Sequence, residues 1–375
     1  MISRHCQILH LIPYSAHGPT HGGKIRANEI SKVLGRIDPN VKVMHFGDAQ
    51  YKERARQLDL MAIPRSLVGD LEMLQKDFEL SSLEFPNLKI IVFEHPWLWN
   101  EVKSLKRKYP SVKIVYSSHN VEYQLKDEIL LKYLGQRANS ISDAIKSIEV
   151  EISNDVDRVL VVSQQDKDWY SQFTRLEPVL AKNGTRQQTS FVNSNSGKLG
   201  SNALVVGSAH PPNIEGCLKF LSDPDLWMPN DAKITVVGSL ATALTANWGQ
   251  LRNRWGEVCV ELIPEVDDLG LNQLLQDCSV ILLPIAYGGG TNLKSAEALV
   301  SGRPIVGSPQ SFRGFEEYIH SPHVSIAETS LEFKIKVTAL LIGERITSVD
   351  RDSSKLFWDS TLSSIETTIL ELVND

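Results

Sequence analysis

The sequence predicts an α/β protein made of two doubly wound parallel-sheet domains. Three observations carry this. Short apolar runs of strand length alternate with helix-length amphipathic stretches along nearly the whole chain, the pattern of parallel strands covered by helices. At 375 residues the chain exceeds one ordinary hydrophobic core. Lys182–Asn202, KNGTRQQTSFVNSNSGKLGSN, is rich in Gly, Ser and Asn and poor in aliphatic residues, so it reads as a linker. The expected division is a first domain over 1–182, a linker over 183–202 and a second domain over 203–354. The closing segment, 355–375, is assigned to the first domain.

In the first domain, Gln7–Ile12 is the first strand. The turn-rich loop PYSAHGPTHGG follows, and then the helical stretch KIRANEISKVLGR, whose Ile25, Ile30, Val33 and Leu34 form an apolar stripe. Gly22 and Gly23 thus sit between the first strand and the first helix, where open α/β sheets bind ligands. Val41–Phe46 is a strand and 51–82 is mixed and helical. Leu88–Phe93 is a strand ending in Glu94-His95-Pro96-Trp97, and Trp99–Lys108 a helix. Val112–Tyr116 is a strand ending in Ser117-Ser118-His119-Asn120, and Val121–Glu151 a long helical stretch without proline. Arg158–Val162 (strand), Gln164–Phe173 (helix) and Glu177–Ala181 (strand) complete the series.

In the second domain Ala203–Gly207 and Lys233–Gly238 are strands, each ending in a glycine followed by serine, Ser208 and Ser239. Val258–Ile263, Ser279–Leu283, Pro304–Gly307 and Val324–Ile326 follow, separated by helices near 213–221, 241–254, 268–276, 292–300 and 328–341. The stretch 279–308 is the most informative. After the strand Ser279–Leu283, Gly288, Gly289 and Gly290 let the backbone turn sharply and approach a ligand. Thr291 is placed as the N-cap of the helix Asn292–Val300, which Gly302 ends with Pro304 just beyond. The amides at such a helix start favour an anion, most often a phosphate. Lys294 and Glu297, at i and i+3, share one helix face, a cation and an acceptor-only group suited to a phosphate and a sugar diol. The P-loop pattern fails here because Leu293 stands where its second glycine must be. Lys355–Leu372 is amphipathic and reads as a closing helix.

Composition is that of a globular protein, with 42% hydrophobic and 22% charged residues and a net charge of −6. The first 180 residues are near neutral and the remainder carries the negative charge, so no nucleic-acid partner is expected. No run approaches ~18 apolar residues, so no membrane span is expected. The start, MISRHCQILHLIP, is too short and broken for a secretory signal. Cys6, Cys217, Cys259 and Cys278 form no C-x-x-C pair and lie in or beside apolar segments, as buried free thiols would. A cytoplasmic location fits. Lys103, Lys106, Arg107 and Lys108 form a small basic cluster that reads as a solvated helix face. His17 and His21 lie on a loop without a third ligand, so no metal is expected there. D-x-D triplets at Asp155/Asp157, Asp166/Asp168, Asp223/Asp225 and Asp350/Asp352 are scattered through polar or helical contexts.

Taken in order, HGGKIR, YSSHNVEY, VLVVSQQDKDWY, KNGT, VVGSAHPPNIEG, ITVVGS and LLPIAYGGGTNLKSAEALVSGRPIV resemble the landmarks of GT-B glycosyltransferases of the retaining family 4 type. The closest match is a subgroup with GGGT and a lysine. The resemblance covers nearly the whole chain and is far weaker for substrate than for fold. It implies two Rossmann-like domains facing across a cleft, the second binding a nucleoside-diphosphate sugar and the first an acceptor. Carried over by position, Glu297 would hold the ribose hydroxyls, and the amides of Gly289, Gly290, Thr291 and Asn292 would meet the diphosphate and sugar. Gly22 and Gly23 would approach the phosphates, Gly207 and Ser208 would belong to the donor site, and Glu265, within Ile263–Asp268, would flank the base. His119 would sit by the donor sugar.

Two departures stand out. A second glutamate that the family often has is replaced by Gly289, and VVGSAHPPN offers only His210 where many members carry Arg and Lys. Lys294 would supply the missing cation, with Lys24, Arg26 and Arg303 in reserve. The expected activity is a metal-independent retaining transfer, with the sugar nucleotide as substrate rather than cofactor. Its acceptor would be a saccharide or glycolipid in bacterial surface-polysaccharide assembly, and the chain would be cytoplasmic, with room for peripheral contact at the inner membrane face. A nucleotide-sugar epimerase or hydrolase, and a non-catalytic nucleotide-sugar-binding protein, are the competing readings.

Overall fold

The computed structural model describes residues 7–17, 21–47, 73, 76, 78–186, 201–246, 259–288, 291–343 and 353–374. Cys6, nearly all of the helical stretch expected over 51–82, most of the linker, the end of the helix expected over 241–254, Asp350 and Asp352, and Gly289 and Gly290 lie outside the described residues.

The chain divides into two compact units. One comprises Met1–Lys182, Gly289–Thr291 and Thr361–Asp375, the other Asn183–Gly288 and Asn292–Ser360. Each unit holds one six-stranded sheet, in the order β2-β1-β3-β4-β5-β6 in the first and β12-β11-β10-β7-β8-β9 in the second. Every pairing is parallel. This agrees with the α/β architecture expected from the alternation of strands and helices.

The first-unit strands are β1 Ile8–Ile12, β2 Lys42–His45, β3 Ile90–Glu94, β4 Lys113–Ser117, β5 Arg158–Val161 and β6 Val179–Leu180. β1 and β3 are buried along their whole length, because central parallel strands are covered on both faces and must be apolar throughout. The helix Gly22–Ile37 turns Ala27, Ile30, Val33 and Leu34 into the interior. On the other side, Phe93 stacks on Trp99 and Tyr116, with ring centroids 5.8 and 5.1 Å away. The long helical stretch expected over 121–151 is two helices, Glu122–Leu134 and Ala138–Asp155. Gly135, at φ 54°, breaks them, a conformation that side chains resist and glycine tolerates.

The closing helix is also shorter than expected. After turns at Ser354–Leu356 and Trp358–Thr361, the helix proper is Ser363–Asn374. It buries Ile365, Thr368, Ile369 and Leu372 against the first unit. Ser364 Oγ donates to the Leu180 carbonyl at 2.9 Å, Lys89 Nζ donates to the Val373 carbonyl at 3.2 Å, and Arg36 reaches Glu366 at 3.4 Å.

The second-unit strands are β7 Asn202–Val206, β8 Lys233–Val237, β9 Val260–Ile263, β10 Val280–Leu283, β11 Ile305–Gly307 and β12 Val324–Ile326. Its core lies on the two faces of this sheet, one around Val205, Phe220, Leu282 and Phe333, the other around Leu204, Ile281, Ile305 and Phe315. Cys217, Cys259 and Cys278 are buried free thiols. In the basic cluster Lys103 pairs with Glu151 and Lys108 with Glu84, while Arg107 bonds Ser104. The cluster closes the helix Trp99–Lys108, where cations complement the helix dipole. Among the described residues, no helix is long and apolar enough to cross a membrane.

Candidate functional site

Each sheet has one point where the strand order reverses, between β1 and β3 in the first and between β7 and β10 in the second. Crevices at the carboxyl ends of strands at such points are where open α/β sheets bind ligands. In both units this is where polar side chains gather.

In the first unit the loops after β1, β3 and β4 bring together Tyr14, Glu94, His95, His119 and Glu122. The Glu94 carboxylate is completely buried and bridges two histidines, His10 Nε2 at 2.7 Å and His119 Nε2 at 2.6 Å. Burial works to raise its pKa, but the hydrogen bonds from His10 and His119 outweigh it and hold the carboxyl well below the usual carboxylate range. His119 moves the other way. Burial, helped by neighbouring His95, lowers it to about 3 against the pull of Glu94. An ionised carboxylate beside a neutral imidazole fixes the tautomer, since Nε2 must carry the proton that Glu94 accepts, which leaves Nδ1 as an acceptor.

Beside this pair His95 Nδ1 lies 2.8 Å from Glu122 Oε1, and His95 Nε2 meets the Tyr14 hydroxyl. The His95 and His119 rings are 4.1 Å apart, and Tyr14 packs edge-on against His21 and His95. His95 adopts φ 60°, ψ 163°, a region almost confined to glycine that costs about 1–3 kcal/mol for other residues. Burial works to raise the Glu122 pKa, yet adjacent His95 brings it down to about 2. One layer deeper, burial raises Glu149 to about 8. Glu149 accepts from the Tyr170 hydroxyl at 2.7 Å and from the backbone N–H groups of Glu122 and Tyr123 at 2.8 and 2.9 Å. Such a cluster can hold and pass protons.

In the second unit, β7 leads into Gly207-Ser208 and β10 leads toward the helix Leu293–Ser301. A small cavity is lined by Val206, Asn213, Cys217, Leu283, Ile285 and Lys294 among others. Asn213 Nδ2 donates to the Ser208 carbonyl at 2.9 Å and to its Oγ at 3.3 Å, tying the glycine-serine turn to the cavity wall. Burial lowers the Lys294 ammonium to about 8, against the opposing pull of Cys217 and Glu297. The N-cap of this helix is Asn292, without a side-chain cap bond, rather than Thr291. The last turn ends as expected at Gly302, φ 66°.

The structure therefore brings Gly207, Ser208 and Lys294 to one switch point, with Glu297 beside Lys294. Thr291 and Asn292 lead into the same helix and are half-buried, while Glu265 is exposed on the segment after β9 and is not among the cavity's lining residues. Gly22 and Gly23 are the first residues of a helix capped by His21, rather than part of a loop. A Cβ on Gly23 would stand 2.3 Å from the Tyr14 hydroxyl, so this glycine makes room for Tyr14. Of the reserve cations, Arg26 is buried, with Glu94 and Asp166 opposing the fall of its pKa to about 10. Lys24 Nζ donates to the His17 carbonyl at 3.3 Å, and Arg303 is spent on the Gln276 carbonyl.

Sequence reasoning saw Glu94 and His95 at a strand end without giving them a role, and missed Tyr14 and Glu149. The available signal was the adjacency of Glu94-His95 and His119-Asn120 to the ends of two consecutive strands. Among the described residues no group of three His, Cys, Asp or Glu is arranged to hold a metal ion.

Residues 200–341 match the model of the family described as glycosyl transferases group 1. A search of curated proteins finds no match. Among solved structures, similarity extends over both units. A sucrose-phosphate synthase from Thermosynechococcus elongatus is 14% identical, with 98% of each chain covered and a TM-score of 0.66. An α,α-trehalose-phosphate synthase (UDP-forming) from Burkholderia vietnamiensis is 11% identical, with 98% of this chain and 100% of that chain covered and a TM-score of 0.64. HepE from Anabaena, in complex with UDP, is 13% identical, with 98% and 99% covered and a TM-score of 0.62. The chain thus has the GT-B fold, and the segment of it that is similar to glycosyl transferases group 1 carries the second sheet.

Proposed function

We propose that the chain is a retaining glycosyltransferase of the family 4 type. It moves a sugar from a nucleoside-diphosphate sugar to a saccharide or lipid-linked acceptor in bacterial surface-polysaccharide assembly. The observation that carries this is the coincidence, within the segment matching glycosyl transferases group 1, of a glycine-serine turn, a helix start and a half-buried lysine at one switch point. On this reading the diphosphate lies at the start of the helix Leu293–Ser301 and Glu297 holds the ribose. As the sugar–phosphate bond breaks, negative charge grows on the leaving phosphate, and Lys294 with the helix-start amides stabilises it. No metal is required. His119, a neutral acceptor oriented by Glu94, binds a donor-sugar hydroxyl through Nδ1. The cytoplasm, with peripheral contact at the inner membrane face, is the proposed place of action.

Structures of similar proteins contain UDP in Anabaena HepE and UDP-2-fluoro glucose in an Escherichia coli relative, so UDP-sugars lead a thermal-shift panel of UDP, GDP, ADP, TDP and their glucose or mannose derivatives. A ligand at ~100 times its dissociation constant adds about 2.7 kcal/mol to stability, so one base should stand out; no shift with any of them removes the proposal. A hydrolase or epimerase of this fold would also use the His119, His95 and Glu122 cluster, and product analysis separates the three.

His119→Ala is expected to leave nucleotide affinity within a few-fold and to lower turnover by roughly 10²-fold. Calorimetry and steady-state rates on one preparation check it. A fall in melting temperature with turnover per folded molecule unchanged would make His119 a structural residue.

A further inference from the structure

Two loops meet at the second switch point, Gly207–His210 after β7 and Pro284–Gly288 after β10, and one helix touches both. That helix is Pro211–Phe220. Asn213, near its start, holds the first loop through the Ser208 carbonyl. The second loop lies against the same helix at several points. The Ala286 N–H donates to the Pro212 carbonyl at 3.2 Å. The Tyr287 hydroxyl donates to Glu215 Oε1 at 2.6 Å. A Cβ on Gly216 would stand 1.6 Å from the Pro284 carbonyl oxygen, so the missing side chain is what lets helix and loop touch. Gly288 ends the loop at φ 131°, and Pro212 Cγ lies 3.7 Å from where its Cβ would be.

These contacts differ in kind. Those of Pro212 and Gly216 are backbone bonds and close packing, and Ser308 Oγ fixes the Ile285 carbonyl from the β11 side at 2.6 Å. The bond between Tyr287 and Glu215 joins two half-buried side chains 72 residues apart. A phenol donating to a carboxylate makes a charge-assisted bond, stronger than one between neutral groups. It lies one residue before Gly288, from which the chain turns toward the helix Leu293–Ser301. A glycine in that conformation leaves the backbone free to take other shapes, so this is where a side-chain hold has most effect. A loop already in its ligand-binding shape need not be ordered when the ligand arrives, and the apparent affinity rises with the fraction of molecules in that shape.

We infer that Glu215 and Tyr287 are positioning residues that hold the loop after β10 in the shape that receives the diphosphate sugar. The inference rests on the glycosyltransferase reading above. Neither side chain has to touch the ligand. With Asn213 on the first loop and Glu215 on the second, the helix Pro211–Phe220 sets the spacing between the two loops.

The test uses the full chain, its Tyr287→Phe, Glu215→Ala and Glu215→Gln variants, and the double variant Tyr287→Phe/Glu215→Ala. UDP-glucose, GDP-mannose, ADP-glucose and TDP-glucose are titrated by calorimetry, and amide hydrogen exchange over residues 285–288 is followed by mass spectrometry. Tyr287→Phe and Glu215→Ala are each expected to weaken binding of the preferred sugar nucleotide by roughly 10-fold. The double variant should bind no more weakly than the singles, since all three remove the same bond. Glu215→Gln keeps an acceptor for the phenol and should stay within a few-fold of parental affinity. Melting of the unliganded chain should hardly change, while exchange over 285–288 should quicken in the weak binders and slow again when the sugar nucleotide is added. Parental affinity in Tyr287→Phe, equal or tighter binding in Glu215→Ala, or losses that add in the double variant would overturn the positioning role and leave the transferase reading standing. A lower melting temperature with affinity intact would do the same. A parent that binds none of the four sugar nucleotides removes the transferase reading and the positioning role with it.

Discussion

Replacing Lys294 with glutamine is expected to lower turnover by roughly 10²- to 10³-fold and, at neutral pH, to raise the melting temperature. The first effect follows from where charge develops. A preorganised cation at the leaving diphosphate acts most strongly as the bond breaks, so its loss falls on turnover more than on affinity for the intact sugar nucleotide. The second follows from burial, which lowers the folded-state pKa to about 8 from 10.5. Between those two values the unfolded chain binds more protons than the folded one, so stability rises with pH across that window. Below it, the charged lysine costs on the order of 1–3 kcal/mol once its partial exposure is allowed for.

Removing the charge lifts that cost, and the pH dependence should disappear with it. In the parent, diphosphate affinity should weaken as pH rises through about 8. Binding above that pH should take up a proton, readable by calorimetry in buffers of different ionisation heat. Glu297→Gln is the contrast. The ribose does not change during reaction, so the Michaelis constant should rise more than turnover falls. If Lys294→Gln melts lower and turns over like the parent, the lysine is a structural residue.

Removing the closing helix, residues 361–375, should leave an insoluble chain or one that melts far lower. Leu362, Ile365, Ile369 and Leu372 are at most 4% exposed, so deletion would uncover both this stripe and the surface beneath it. The single change Ile369→Ala should cost roughly 2–5 kcal/mol, the range for deleting a buried aliphatic side chain. Because the helix packs on the first unit, the loss should appear in that unit's unfolding, which Trp97, Trp99 and Trp169 fluorescence reports. A truncated chain with parental melting and activity would contradict this packing.

The strands were legible because buried parallel strands are continuous apolar runs. β12, Val324–Ile326, falls where the sequence places it, and β1 and β4 shift by a residue or two. The break at Gly135 was not legible, since one glycine in an amphipathic stretch is as compatible with a continuous helix as with two. At the second switch point, Lys294 and Glu297 could be read together because helical spacing places i and i+3 on one face. In the first unit the partners are far apart in sequence. His10 and Glu94 meet across 84 residues, and Tyr14 and His95 across 81. They meet because β1 lies next to β3 in the sheet, an order that alternation of strands and helices does not specify. His119 was visible through its motif, but its neutral state comes from burial beside His95, and its tautomer from Glu94 on the neighbouring strand. Gly22 and Gly23 were given a phosphate-approach role through the family resemblance, and only the fold shows Tyr14 against Gly23.

The most direct measurement is product analysis by proton NMR of one turnover with the sugar nucleotide that stabilises the chain most. The expected result is one nucleoside diphosphate released per sugar transferred, with the new glycosidic bond keeping the anomeric configuration it had in the donor. An altered sugar nucleotide, an inverted linkage, or tight binding without any bond cleavage would contradict retaining glycosyl transfer by this chain.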